Sequence, residues 1–189
     1  MNPLKEKINK NKSGFTLVET LVAISILVLA VTGAFSAAQS GLSSYNHSKN
    51  QTIAIYLAQE AIEQIRYRRS TNTISGSYWL SSVAEASSNV CFDTLNNGKS
   101  CTVDVLNNTL TACSGTCPVI RQNTDGDNSY GYTGAWTATI FRRSVQITPV
   151  YPAGCINNCS EVSVLVTITW SKGLVNRQFK IRENLFDWQ

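Results

Sequence analysis

Residues 14–34 read GFTLVETLVAISILVLAVTGA, an apolar run as long as a membrane-spanning helix. It separates a short N-terminal leader from the rest of the chain. It holds one carboxylate, Glu19, close to its start. Before it lies a short polar leader with four lysines and a single acid, Glu6. A lysine excess on this side predicts that the N-terminus stays cytoplasmic and that the bulk of the chain lies outside.

The formal net charge of +4 suggests a nucleic-acid-binding protein, but the position of the charge argues against one. Four of the 16 basic residues and one of the 12 acidic residues precede Gly14, which leaves 12 basic and 11 acidic residues in the rest of the chain. Most of the basic excess therefore belongs to the leader. We do not expect a nucleic acid as a partner.

Three interpretations of the apolar run compete. It is an ordinary secretory signal peptide cleaved within Ser36-Ala37-Ala38, an uncleaved signal anchor, or a signal cut at Gly14–Phe15 with the apolar run retained. Glu19 separates them, because an acid inside a membrane helix costs about 2.5–3.5 kcal/mol at the helix centre. Intramembrane carboxylates usually have a partner, and neither of the first two interpretations gives Glu19 a role.

Residues 12–23, KSGFTLVETLVA, resemble the N-terminal cleavage and methylation motif of type IV pilins and type II secretion pseudopilins. The resemblance implies that a prepilin peptidase cuts after Gly14 and that Phe15 becomes the N-methylated terminus. It places Glu19 at the fifth mature position, where the family keeps a glutamate. The implied role of Glu19 is a salt bridge to the N-terminal ammonium of a neighbouring subunit, which makes a buried carboxylate tolerable.

The resemblance also implies a function, a location and partners. The function is that of a minor pilin or pseudopilin. A looser resemblance is to the C-terminal pattern of small minor pilins of the V and I classes, and it lies in Leu185-Phe186-Asp187-Trp188 together with Val166–Trp170. The expected partners are other pilin subunits, the prepilin peptidase and methyltransferase, and the cytoplasmic membrane, which the chain crosses once before it enters a periplasmic or extracellular filament. Two alternatives stay open: a filament-tip binding module for adhesion or DNA uptake, and a secreted disulfide-stabilised protein.

The helical pattern continues beyond the apolar run and predicts one helix from about Phe15 to about Arg69. Ile55, Ala58, Ile62 and Ile65 recur at spacings of three and four, which is typical of a buried helix face. The expected organisation has four parts: a leader peptide at 1–14, a transmembrane and assembly helix at 15–38, an amphipathic continuation at 39–69, and a globular head at 70–189.

The head begins with a predicted loop, residues 70–88, whose apolar Tyr78, Trp79, Leu80 and Val83 fold back onto the helix. Runs 90–95 and 101–106 flank Asn96-Asn97-Gly98, which predicts a β-hairpin.

The remainder is predicted to be irregular over residues 107–134 and then β-structured. Residues 135–141 and 144–150 predict two strands that turn around Arg142-Arg143. Alternation over 162–170 predicts a half-buried strand, and 174–181 predicts its returning partner, with Trp188 tucked onto the sheet. The expected fold class is α+β, with a long N-terminal helix packed on an antiparallel sheet.

All six cysteines follow the apolar run: Cys91, Cys101, Cys113, Cys117, Cys155 and Cys159. An even number on the exported side indicates disulfides rather than a four-cysteine zinc site. Proximity in the sequence favours the pairs 91–101, 113–117 and 155–159.

Catalytic patterns are missing from the sequence, so we expect no enzyme. A single histidine excludes most histidine-based triads and metal sites, and there is no phosphate-binding glycine loop. Asp125, Asp127 and Asn128 form a weak calcium candidate, for which a plain Asp-Gly-Asn turn is the commoner explanation. No other metal or cofactor is expected.

Overall fold

The computed structural model describes residues 14–81, 83, 90–93, 98–152, 155 and 159–187. The chain divides into two compact units, Met1–Ser48 and Lys49–Gln189. One long helix and seven strands follow each other along the sequence. They are α1 (Leu17–Ile74), β1 (Cys101–Asp104), β2 (Thr109–Ala112), β3 (Val119–Gln122), β4 (Tyr130–Gly131), β5 (Thr137–Tyr151), β6 (Glu161–Lys172) and β7 (Val175–Phe186). The α+β prediction is confirmed.

Helix α1 continues five residues past its predicted end at Arg69. The hydroxyls of Thr71 and Thr73 donate to the carbonyls of Tyr67 and Arg69, at 2.9 and 3.0 Å, which keeps these polar residues compatible with a helix. The helix ends just before Gly76, whose positive φ of 71° suits a residue without a side chain.

The stretch after α1 folds back onto the core of the second unit, as predicted. Trp79, Leu80 and Val83 are buried. The side-chain amide of Asn72 donates to the carbonyls of Trp79 and Ser81, at 3.1 and 2.8 Å, and so holds this stretch against the last turns of the helix.

The sheet is built around β5. One edge of β5 pairs with β6 along most of its length, and β6 pairs in turn with β7. The other edge of β5 pairs with β1 and β3, which carry β2 and β4 on their far sides. All strand pairings are antiparallel.

The predicted turn at Arg142-Arg143 is wrong, because β5 runs through both residues. Burial alternates without a break from Phe141 through Arg143 and Val145 to Ile147, while Arg142 is exposed. An arginine can occupy the buried face of a strand only if its donors find acceptors there.

The guanidinium of Arg143, only 1% exposed, joins three elements. Its Nη1 donates to the backbone carbonyl of Leu57 at 3.0 Å and to the Glu60 carboxylate at 2.6 Å, both on α1. Its Nη2 donates to the carbonyl of Val103 on β1. The buried charge is therefore both paired and hydrogen-bonded, which is the condition for tolerating it.

The hairpin predicted for residues 90–95 and 101–106 is also wrong. Phe92 forms a parallel bridge with Ile147 of β5, and β1 pairs with β2 instead. The tip of that β1–β2 hairpin contains Asn108, which adopts the positive φ of 48° that asparagine tolerates. Most of the predicted Asn-Asn-Gly turn lies outside the described residues.

Residues 107–134 are more regular than predicted, since they contain β2, β3 and β4. The predicted contribution of Trp188 falls outside the described residues.

The helix face that packs in the second unit differs slightly from the predicted stripe. Its apolar members are mostly small or aliphatic: Ala54, Leu57, Ala58, Ala61, Ile62 and Ile65. Ile55 is only half-buried.

The predicted alternation of β6 is confirmed, because Val162, Val164, Val166, Ile168 and Trp170 are all buried. Strand β7 is longer than predicted and reaches Phe186.

The cysteines form three close pairs at disulfide distance. The Cα atoms are 4.8 Å apart for Cys91–Cys101, 4.9 Å for Cys113–Cys117 and 5.3 Å for Cys155–Cys159. Cys91 and Cys101 are fully buried next to β5. The indole Nε1 of Trp79 donates to the carbonyl of Cys159 at 2.8 Å, which ties the last of these loops to the core.

Replacing Arg143 with methionine should lower the free energy of unfolding by about 3 kcal/mol, because Glu60 and two buried carbonyls lose their donor. Urea denaturation of the full chain in nonionic detergent, followed by tryptophan fluorescence, measures this loss. Arg182→Met on the exposed side of β7 is the control and should change it by less than about 0.5 kcal/mol. Similar effects of the two variants would contradict the role assigned to Arg143.

Replacing both Cys91 and Cys101 with alanine should lower the free energy of unfolding by about 2–3 kcal/mol, because their cross-link restricts the unfolded chain. The loss should exceed that of Cys113→Ser with Cys117→Ser, since the latter pair closes a shorter loop, four residues against ten. The same denaturation experiment ranks the two double variants, and non-reducing peptide mapping tests the linkages. The opposite ranking, or a different linkage, would overturn this assignment.

Candidate functional site

The first unit begins with a capped helix start. Gly14, Phe15 and Thr16 precede α1 in a non-helical segment. The Thr16 hydroxyl accepts a hydrogen bond from the backbone N–H of Glu19 at 3.2 Å, and the Thr16 carbonyl accepts one from the N–H of Thr20 at 3.2 Å. Thr16 is therefore the N-cap, and Thr-x-x-Glu at these positions is the capping-box pattern.

The predicted cleavage bond is accessible in this segment. The side chain of Phe15 is 78% exposed, and a Cβ added at Gly14 would meet nothing within 4 Å. The bond joining them lies outside the helical hydrogen-bond ladder, which begins with Thr16 and Leu17. The predicted lysine leader falls outside the described residues.

Glu19 lies in the first turn of α1 and is exposed. Its carboxylate accepts no hydrogen bond from any residue that the structure describes. A carboxylate at this end of a helix is favoured by the helix dipole, which is positive there. The helix dipole therefore stabilises the Glu19 carboxylate where it lies, and no described residue blocks the approach of a cation to it.

The hydroxyls within the apolar run are satisfied by the helix itself. Thr20 donates to the carbonyl of Leu17 at 2.9 Å, Ser25 to that of Leu21 at 2.6 Å, and Thr32 to that of Val28 at 2.8 Å. A lipid-facing helix must satisfy its polar groups internally, so these contacts remove an obstacle to burial in a membrane.

Large apolar side chains cover this part of α1 on every side and remain exposed within the described chain. They include Leu17, Val18, Leu21, Val22, Ile24, Ile26, Leu27, Val28, Leu29, Val31 and Phe35. By length and composition, α1 is the one helix of the described residues able to cross a membrane. A surface this apolar requires lipid or other protein to cover it.

The six cysteines and the calcium candidate all lie in the second unit. The Asp127 carboxylate accepts hydrogen bonds from the N–H of Ser129 at 3.1 Å and from the Asn123 amide at 3.2 Å. Bonds from Ser129, and a weaker one from Asn123, lower the pKa of Asp127. Within the described residues no three His, Cys, Asp or Glu side chains are close enough to hold a metal ion. The turn accounts for this loop, and calcium binding stays a prediction.

Sequence reasoning missed two features of these sites. The cap at Thr16 carries a readable signal, the threonine three residues before Glu19. The ion pair between Glu60 and Arg143 has no local signal in the sequence, because 83 residues separate the two side chains.

A family model described as the prokaryotic N-terminal methylation motif matches residues 9–35, which contain Gly14, Phe15 and Glu19. Neither a search of curated proteins nor a search of solved structures found a significant match. The match agrees with the capped helix start, the accessible bond before it and the apolar exposed run after it. The chain therefore carries a type IV pilin-like prepilin motif, which indicates a processed structural subunit.

Proposed function

We propose that this protein is a minor pilin or pseudopilin, assembled into a type IV pilus or a type II secretion pseudopilus. The observation that carries the proposal is the methylation motif at residues 9–35, placed directly at the start of a 58-residue helix whose first part is apolar and exposed. The motif accounts for processing, and the exposed apolar surface accounts for both membrane retention and assembly.

In the processing step, prepilin peptidase cuts the bond between Gly14 and Phe15, and the new N-terminus of Phe15 is methylated. The accessibility of this segment supports that step. The Thr16 cap lies on the retained side of the cut, so α1 keeps its N-terminal hydrogen bonds after the leader is lost.

In the membrane step, the apolar run anchors the chain in the cytoplasmic membrane, with the N-terminus on the cytoplasmic side. The lysines of the leader support this orientation. The second unit then lies outside, where an oxidising compartment suits its three cysteine pairs.

In the assembly step, the carboxylate of Glu19 pairs with the Phe15 ammonium of a neighbouring subunit while the apolar side chains around it pack together. Burial of an unpaired carboxylate is costly, and pairing it removes most of that cost. Glu19 is exposed at the helix start, and no described residue of its own chain donates a hydrogen bond to its carboxylate. Both observations support this role.

Mass spectrometry of the chain purified from its native membrane should give a protein that begins at Phe15 and carries one methyl group on its N-terminus. Gly14→Phe is the control variant and should keep the leader, because a bulky side chain then flanks the cleaved bond. A mature chain that begins at Gln39 would show an ordinary signal peptide. One that begins at Met1 would show an uncleaved anchor, and either result would refute the proposal.

Glu19→Gln should lower incorporation into filaments at least about tenfold, since the partner ammonium loses its counter-charge in the apolar packing. Glutamine still fits the capping-box position, so the helix start is retained. Glu63→Gln is the matched control, because that exposed carboxylate of α1 pairs with Arg66 of its own chain. Immunoblots of sheared filaments, normalised to the membrane pool, measure incorporation. Normal incorporation of Glu19→Gln would refute the pairing role.

A further inference from the structure

A small pocket lies on the outer face of the sheet, which is the face turned away from α1. Its volume is about 220 Å³, and it is formed between the Cys113–Cys117 loop and strands β5 and β6. Arg143 of β5 contributes no side chain to it, because its guanidinium contacts α1 on the opposite face. The polar side chains of the lining are those of Ser100, Thr116, Arg142, Ser144 and Thr169.

Strand register brings these side chains together on one face. Arg142 and Ser144 are two residues apart on β5, so both point to the same side of the sheet. Thr169 of β6 is the direct cross-strand partner of Arg142. Such partners have Cβ atoms about 4.5–5.5 Å apart. The guanidinium and the two hydroxyls can therefore reach one small ligand.

The Cys113–Cys117 loop forms the second wall of the pocket and is fixed against the sheet. The Nη1 of Arg142 donates to the carbonyl of Cys117 at 2.7 Å. The Ser100 hydroxyl lies 3.7 Å from the Sγ of Cys117, and the N–H of Cys113 donates to the carbonyl of Ser100 at 2.9 Å. Both ends of the loop are thus held, which positions Thr116 above the strands.

Several donors of the lining have no partner in their own chain. Arg142 spends one N–H on Cys117, and its other donors remain on an exposed side chain. The hydroxyls of Thr116, Ser144 and Thr169 form no hydrogen bond with any residue that the structure describes, although Ser144 is half-buried. Polar groups that converge on one cavity in this way are typical of a site for a small polar ligand.

The charge of the lining favours an anion. Arg142 supplies a cation, and the described lining contains no acid. Asp93 approaches the same face beside Gln146, but its carboxylate already accepts hydrogen bonds from Gln146 and from the N–H of Gly98. Hard metal cations require carboxylate or carbonyl oxygens, whereas a guanidinium repels them. The lining also offers too little apolar surface for a hydrophobic ligand.

The size and the arrangement of the donors favour a tetrahedral oxyanion. A guanidinium alone satisfies a flat carboxylate through its two parallel N–H groups. A phosphate group presents three strong acceptor oxygens, and the pocket supplies donors from β5, from β6 and from the loop. Its volume lies below the range of about 300–1,000 Å³ that is usual for drug-sized ligands, so it suits a single anionic group.

We propose that this pocket binds a tetrahedral oxyanion, a phosphate or sulfate group. Arg142 supplies the charge, and the hydroxyls of Thr116, Ser144 and Thr169 supply the remaining donors. The group occurs both as a free ion and as a monoester on a larger molecule, and the test below separates these two sources. The site is independent of the prepilin motif and adds a binding function to the head of a structural subunit.

Equilibrium dialysis of radiolabelled inorganic phosphate against the full chain, in nonionic detergent at low salt, tests the proposal. Binding should saturate at one phosphate per chain, with a dissociation constant of about 1 mM or lower. R142Q should weaken binding at least about tenfold, because a charge-assisted hydrogen bond is lost. S144A should weaken it about threefold, because one neutral donor is lost.

R177Q is the matched control, because it removes the same charge from the other face of the sheet. The cross-strand partner of Arg177 is Trp170, whose side chain is buried in the core. Arg177 does not line the pocket and has no described ion pair. Its replacement should change phosphate affinity less than about twofold.

Competition with unlabelled glucose 6-phosphate identifies the source of the anion. Displacement at a lower concentration than unlabelled phosphate requires assigns the site to a monoester, and the reverse order assigns it to the free ion. S144A removes no described hydrogen bond, so its thermal unfolding should match that of the unchanged chain and its affinity is a measure of binding alone. Absence of saturable binding, unchanged affinity of both R142Q and S144A, or equal losses in R142Q and R177Q would overturn the proposal.

Discussion

The guanidinium of Arg143 is the contact on which the packing of the head depends. It lies at the centre of β5 and is hydrogen-bonded to α1 and to β1 at once. A buried cation without these acceptors is costly, so the helix, β1 and β5 can pack only in the register that supplies them. Ala54, Ala58 and Ala61 leave room for that approach, because their short side chains are fully buried on the same helix. One charged group thus sets the relative position of elements that apolar contacts alone would fix less specifically.

The same residue shows where sequence reasoning succeeds and where it fails. The alternation of β6 and the stripe of α1 are local patterns of apolar residues. The first predicts burial correctly, and the second does so for Ala58, Ile62 and Ile65 but not for the half-buried Ile55. Arg142-Arg143 shows the opposite pattern, two charges between apolar runs, and this pattern predicts a turn. The acceptors that allow Arg143 to be buried lie 83 residues away at Glu60 and 40 residues away at Val103, so no local pattern contains them.

The prepilin motif and the outer face of the sheet differ in predictability for the same reason. Gly14, Phe15, Thr16 and Glu19 lie within six residues of the sequence, and their motif is readable because the proposed processing and the helix cap both depend on local sequence. The outer face of the sheet is formed by residues from three strands, and register alone brings Arg142 beside Gln178 through Thr169. A turn at Arg142-Arg143 would place Arg142 away from β6, so no local pattern predicts this arrangement.

Helix α1 presents two different surfaces along one continuous backbone. In the second unit it buries a single stripe, and exposed positions such as Glu63 and Arg66 are polar. In the first unit its large side chains are apolar on every side, and its hydroxyls bond to its own carbonyls. Such a surface is stable only in lipid or against similar helices. Both surroundings have a low dielectric constant, so the charge of Glu19 becomes tolerable only where a cation accompanies it. In lipid a carboxylate in the first turn of a helix lies close to the headgroups, and in the proposed bundle its partner is a neighbouring N-terminus. Under this proposal, the position of Glu19 restricts both the depth of the helix in lipid and its register in the bundle.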